Sequence, residues 1–151
     1  MKKIIYLFLT VSLIFSSCAK EEGCKDALAT NYNADAEEDD GSCTYSIVGT
    51  WTVTEFIADG TNLLALISGA EFVFNSNSSY DLIQLIGGAS VSAPGTYSVT
   101  NNTLTLYPSD GGTDICSVTK LDGSSMHATG TSSINADGTS DWSSLSIKVT
   151  K

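Results

Sequence analysis

From Ile47 to Lys151 apolar and polar residues alternate in short runs, and Gly, Ser, Thr, Asn or Asp interrupts them every few positions. Side chains that change face at every residue belong to a half-buried β-strand, whereas a helix repeats every 3.6 residues. Regular turn spacing between such runs points to a sandwich or a barrel. The alternation predicts eight strands. The first covers Gly49 to Ile57, with Trp51, Val53 and Ile57 on one face, and the second covers Ala70 to Phe74, with Phe72 and Phe74 together. Tyr80 to Ile86 is the third and ends at Gly87-Gly88. The fourth runs from Gly95 to Thr100 and the fifth from Thr103 to Tyr107. Thr113 to Leu121, Ser124 to Thr131 and Trp142 to Thr150 complete the set.

The turns carry their own signals. Asn101-Asn102 fits a two-residue hairpin loop, because Asn tolerates positive φ, and Asp122-Gly123 is the strongest hairpin signal in the chain. Ala136-Asp137-Gly138 leads into the last strand, where Leu145, Ile147 and Val149 point inward. Two stretches do not fit. Asn62 to Ser68 is apolar without alternation, as a short helix over an open end or a buried loop would be. The sixth strand, with Ile115, Cys116 and Val118, gives no clean face.

Strands joined in order by short turns form an antiparallel meander, and eight of them can close into an up-and-down barrel with no exposed edge. Ile47-Val48-Gly49-Thr50-Trp51 at the head of the first strand, and Gly95-Thr96-Tyr97 at the head of the fourth, resemble the small lipocalin-like domains of bacterial lipoproteins. The resemblance implies an all-β, eight-stranded antiparallel lipocalin-like barrel over residues 46–151. In lipocalins proper a basic side chain of the last strand, usually Arg, covers the first-strand Trp. This chain has no Arg, so either Lys148 or Lys151 serves or the contact is absent. By the alternation Trp51, Phe72, Phe74, Tyr97, Leu104, Leu106 and Met126 line the interior. They form either an apolar cup for a small ligand or a plain core. A void lined by Tyr97 and Phe74 and open at one end would mark the cup.

The N-terminus reads as an address. Met1-Lys2-Lys3 is basic, Ile4 to Phe15 is mainly apolar, and Ser16-Ser17 precede Cys18. That is the layout of a secretory signal, and the apolar run falls short of the roughly 20 residues a membrane span needs. Ser16-Ser17-Cys18 resembles a bacterial lipobox, with Phe15 in place of the usual Leu. The resemblance implies a signal peptide of residues 1–17, cleavage before Cys18 and acylation of that residue. Residues 18–22 would then be a lipidated tether. Lys20-Glu21-Glu22 resembles the surface-export signal of some Gram-negative lipoproteins. The implied location is the outer membrane, exposed on the cell surface, with the membrane as partner through the lipid.

With Cys18 acylated, Cys24, Cys43 and Cys116 remain. Cys24 and Cys43 bracket one polar, acidic segment and are the natural pair in an oxidising compartment. Closing that loop stabilises it by roughly 3 kcal/mol in the chain-entropy account. Residues 23–45 resemble a repeat of secreted bacterial proteins. The match rests on Gly23, Cys24, Asp26, Ala29, Asn31, Tyr32, Asn33, Ala36, Asp39-Asp40-Gly41-Ser42-Cys43 and Tyr45. Ala27 and Ala34 stand where that repeat has Pro. Asp35, Asp39 and Asp40 are candidate calcium ligands, since calcium seeks six to eight hard oxygens, but their spacing is not that of an EF-hand. The same residues suit an acidic turn in which Asp side chains cap backbone N–H groups.

The formal charge is −10, from 7 basic residues against 17 acidic ones, so nucleic-acid binding is excluded as a function class. His127, the single His, faces outward by the alternation, and no nucleophile or metal-ligand spacing accompanies it. No enzymatic activity and no cofactor is expected. The sequence leads to a lipid-anchored lipocalin-like protein that binds a small apolar ligand. The alternative is a packed β scaffold for protein or glycan contact with no small-molecule ligand.

Overall fold

The computed structural model describes residues 20–67, 69–86, 88–131 and 143–151. The signal segment, Cys18, the Ala136-Asp137-Gly138 turn and Trp142 lie outside the described residues. The chain divides into two units. Described residues up to Ala27, with Asn31–Cys43, form the first, and Leu28–Thr30 with Thr44–Lys151 form the second.

The first unit is held by its covalent bridge and by polar groups. Strand β1 (Glu22–Gly23) pairs in parallel with β2 (Glu38–Asp39). The Cys24–Cys43 disulfide joins two Cα atoms 4.8 Å apart, as the sequence pairing anticipated. Asn33 Nδ2 donates to Glu21 Oε1 at 3.2 Å, and Asn31 Nδ2 donates to the Ser42 carbonyl at 2.8 Å. Cys24 and Ala36 are its buried apolar residues, too little to hold a shape without the bridge.

The second unit is a closed antiparallel barrel. Its eight strands are β3 (Gly49–Ala58), β5 (Glu71–Phe74), β6 (Ser79–Ile86), β7 (Ala89–Thr100), β8 (Thr103–Pro108), β9 (Asp114–Leu121), β10 (Ser125–Thr131) and β11 (Leu145–Thr150). A two-residue strand, β4 (Thr61–Asn62), folds back on the end of β3. Each strand pairs with its sequence neighbour, and β11 pairs with β3 to close the ring. Asp59 latches that seam. Its Oδ1 accepts from the N–H groups of Ser143 and Ser144, both at 2.9 Å, and from the Ser143 hydroxyl at 2.7 Å.

Hairpin chemistry follows the sequence closely. Thr100 pairs with Thr103 across Asn101-Asn102, and Asn101 takes a φ of 54°. Ile86 pairs with Ala89 across Gly87-Gly88. At the Asp122-Gly123 turn Asp122 sits first rather than at a corner. Its Oδ1 accepts from the Ser124 and Ser125 N–H groups at 2.9 and 2.7 Å. The Lys120 ammonium, 2.9 Å from Oδ2, and then the bonds from the two serines hold its carboxyl far below the ordinary range.

Two expectations need correction, the inward face at the end of β3 and the start of the fourth strand. The inward residue near the end of β3 is Phe56, not Ile57. The β3–β11 register slips at Thr54, between the pairs Val53–Val149 and Glu55–Lys148. One extra residue in a strand of period two sends every later side chain to the opposite face. The same device, at Thr119, explains the sixth strand. The register with β10 jumps from Lys120–His127 to Val118–Ala128, so Cys116, Val118 and Leu121 all face inward. The fourth strand begins at Ala89, six residues early. Pairing with β6 imposes it on a segment of Ala, Ser and Pro. In the apolar stretch after β3, Asn62 belongs to β4 and Leu64–Leu66 form a single 3₁₀ turn.

Candidate functional site

The two ends of the barrel are built differently. At the end where β3 begins and β11 finishes, side chains fill most of the interior, and a cleft of about 190 Å³ opens beside Ile47, Val99, Leu121 and Met126. Trp51 is fully buried, and its Nε1–H donates to the Ile47 carbonyl at 2.6 Å. Lys151 Nζ lies over the indole, 4.5 Å from its centroid, so Lys151 takes the place open to either lysine. Lys148 instead pairs with Glu55 at 2.9 Å. Gly49 has a φ of 135° and lies against the Lys151 stem, where a side chain would be both strained and crowded. Phe74 stacks on Phe72 at 5.7 Å and meets Tyr97 edge-on at 5.0 Å. The Tyr97 hydroxyl donates to the Asn75 carbonyl at 2.9 Å. Leu104, Met126 and Val149 complete the layer, leaving a void of about 20 Å³, room for roughly one water.

The opposite end, where β8 leaves the barrel and β11 enters, holds a cup of about 470 Å³. That falls among the roughly 300–1,000 Å³ of small-molecule sites. Phe56, Phe72, Leu82, Leu106, Leu145 and Ile147 form its apolar wall. The 3₁₀ turn contributes Leu63, Leu66 and Ile67 to the rim, and Leu66 is 72% exposed. Asp110 and Gly111 from the β8–β9 connection, Asp114 at the start of β9 and Gln84 from β6 supply the polar part.

Two titratable groups lie deeper. Tyr80 is only 4% exposed and sits opposite Gly95 in the β6–β7 register. Its ring occupies the space a Gly95 side chain would need. The Tyr80 hydroxyl makes no hydrogen bond among the described residues. Burial, then the charges of Asp114 and Asp110, push its pKa up to about 12. Cys116 is a buried free thiol bordering both the cup and the small void. Burial, then Asp114, pushes it up to about 11, so it is a protonated, inert group rather than a nucleophile.

Of the residues expected to line a cup, Phe72 and Leu106 do so. Trp51, Phe74, Leu104 and Met126 belong to the filled layer, and Tyr97 is half-buried beside it. The void expected beside Tyr97 and Phe74 is therefore at the other end. Sequence reasoning missed Phe56 because of the bulge. It missed Asp110, at a turn, and Asp114, at the mouth of β9, because acidic residues are ordinary at strand ends and turns.

Asp35, Asp39 and Asp40 are not brought together, and no three His, Cys, Asp or Glu side chains are grouped to hold a metal ion among the described residues. Asp39 caps the Gly41 N–H at 3.1 Å and Asp40 caps the Ser42 N–H at 2.9 Å. His127 faces outward, with Nδ1 3.1 Å from the Thr119 hydroxyl and Nε2 3.1 Å from the Ser146 hydroxyl. No carboxylate bonds to it among the described residues, so a Ser-His-acid arrangement is not formed.

Residues 47–128, more than half of the chain, match the family described as a lipocalin-like domain. The chain belongs to this family. Within the lipocalin-like domain the match takes in Trp51 and most of the cup wall, and it stops before Leu145 and Ile147. An uncharacterized protein from Bacteroides eggerthii shares the fold, with a TM-score of 0.51 at 13% identity. The alignment covers 70% of this chain and 100% of that one. A lipocalin-like protein from Bacteroides uniformis aligns with a TM-score of 0.46 at 18% identity, over 67% of this chain and 94% of its own. No curated protein matches the sequence.

Proposed function

We propose that this protein is an outer-membrane lipoprotein, anchored through acylated Cys18 and exposed on the cell surface, whose lipocalin-like barrel binds a small, largely apolar ligand without chemical conversion. The observation that carries the binding reading is the cup. It is an apolar concavity of about 470 Å³ at one end of a barrel whose other end is largely packed and holds only a smaller cleft of about 190 Å³. Apolar pockets with a few convergent polar groups are the usual form of small-molecule sites. The anchoring reading rests on the signal-like segment and on Ser16-Ser17-Cys18. Several acyl chains on one residue hold a protein to a membrane far more firmly than a single chain.

Native mass spectrometry of the detergent-extracted protein tests the binding reading. A reproducible co-purifying small molecule is the expected result, and reproducible absence counts against it. Cys18→Ala is expected to release the protein from the membrane fraction. A variant still acylated and membrane-bound refutes the anchor. The alternative of a packed scaffold for protein or glycan contact draws on the β6–β7 hairpin, where Leu85 and Val91 are 54% and 45% exposed. Loss of a partner on Leu85→Ser, with no ligand in the cup, is the result that would favour it.

A further inference from the structure

We infer that the cup selects amphiphilic cations, taking an alkyl or aryl body against its apolar wall and an ammonium group between Asp110, Asp114 and the Tyr80 hydroxyl. This rests on the reading of the cup as a binding site and adds the chemical class of its ligand.

Three observations lead to it. First, the charged residues lining the cup are Asp110 and Asp114, and no Lys, Arg or His lines it among the described residues. A fatty-acid carboxylate would find no counter-charge there and would be repelled by two like charges, whereas a cation would be attracted. Second, Tyr80 is only 4% exposed and lines the cup, and its hydroxyl has no hydrogen-bond partner among the described residues. A buried hydroxyl without a partner carries a desolvation cost, and a ligand N–H that donates to its oxygen offsets part of that cost. Third, Asp110 and Asp114 line the same cup as Tyr80, and their charges add to burial in raising the phenol's pKa. An ammonium has three donors and no acceptor, which matches two carboxylates and a phenol oxygen. The whole chain, at −10, adds a field of the same sign for attracting cations.

The test uses the full chain and displacement of a neutral fluorescent reporter, N-phenylnaphthylamine, by n-octylamine, n-octanol and octanoate at neutral pH and low salt. These share one apolar tail and differ in head group. The expected order is amine tightest, alcohol about tenfold weaker and carboxylate weakest. The amine-to-alcohol ratio should shrink in high salt and fall to about one in Asp110→Asn/Asp114→Asn. Tyr80→Phe should lower amine affinity severalfold. If the three compounds displace the reporter equally, or if the double substitution leaves the ratio intact, the cationic preference is overturned while the cup remains a binding site. If the reporter does not bind and none of the three compounds raises the melting temperature, the cup reading fails and the preference falls with it.

Discussion

The two ends of the barrel draw on the same eight strands and reach opposite results. At one end Trp51, Phe74 and Met126 fill the space between strands, and Lys151 seals the indole from outside. At the other, smaller or more widely separated side chains leave a cup, and a 3₁₀ turn crosses its rim instead of plugging it. Phe74 meets Phe72 and Tyr97 in the filled layer, and Tyr80, which also contacts Phe72 and Phe74, reaches the cup because Gly95 opposite leaves room for its ring. An eight-stranded barrel is just wide enough to be filled or to hold one small ligand. Here it does the first over one half of its depth and offers the second over the other. Stability and recognition can therefore be altered separately.

The sharpest way to break that separation is Trp51→Ala. Removing a fully buried indole leaves a large cavity and is expected to destabilise the barrel by about 3–5 kcal/mol in denaturant unfolding. A cost under about 1 kcal/mol would show that the filled end is not the anchor.

Asp59→Asn should have a smaller effect. The carboxyl of Asp59 is held below its ordinary value by its bonds to Ser143 and Ser144. A lowered folded-state pKa gives stability that is complete above the unfolded carboxylate value and is lost as pH falls through the folded one. Wild-type melting temperature should stay flat down to about pH 5 and drop below about pH 4. The Asn variant should melt lower at neutral pH and lose part of that acid dependence. Identical pH profiles would remove Asp59 from the seam.

Lys151→Met keeps the apolar stem but removes the cation over Trp51. About 0.5–1 kcal/mol should be lost, with reporter affinity in the cup unchanged. Leu66→Ser should do the reverse. Stability should change by less than about 0.5 kcal/mol, because the side chain is mostly exposed, while reporter affinity falls severalfold. If Leu66→Ser unfolds the barrel, the rim is structural and the comparison of the two ends collapses.

Much of this architecture is legible from the amino acids. Tyr97-Ser98-Val99-Thr100, Asn101-Asn102 and Thr103-Leu104-Thr105-Leu106 predict the β7–β8 hairpin as it is found. The inward row Leu145, Ile147 and Val149 also holds. The bulges at Thr54 and Thr119 leave only a skipped beat in the alternation, which reads equally as a noisy strand. The first half of β7 is hidden because Ala, Ser and Pro94 carry little strand propensity. Pro94 is tolerated because β8 pairs with β7 only from Gly95 onward. The cup itself was misplaced for a more general reason. Alternation says which side chains point inward, but not how deep each one sits. Depth depends on register and strand tilt, which join residues far apart in the chain.

Closure of the ring carries a further consequence for how the molecule forms. The bond from the Thr54 hydroxyl to the Lys148 carbonyl spans 94 residues, and no strand between can substitute for β11 at that margin. Until β11 arrives, β3 and β10 both present bare backbone, an invitation for strands from neighbouring molecules. Joining such distant partners is also slow, because the intervening chain loses its freedom before the contact rewards it. The interval between synthesis and closure is therefore when this protein is most exposed to aggregation, and a delayed or damaged β11 would be felt there before it was felt in binding.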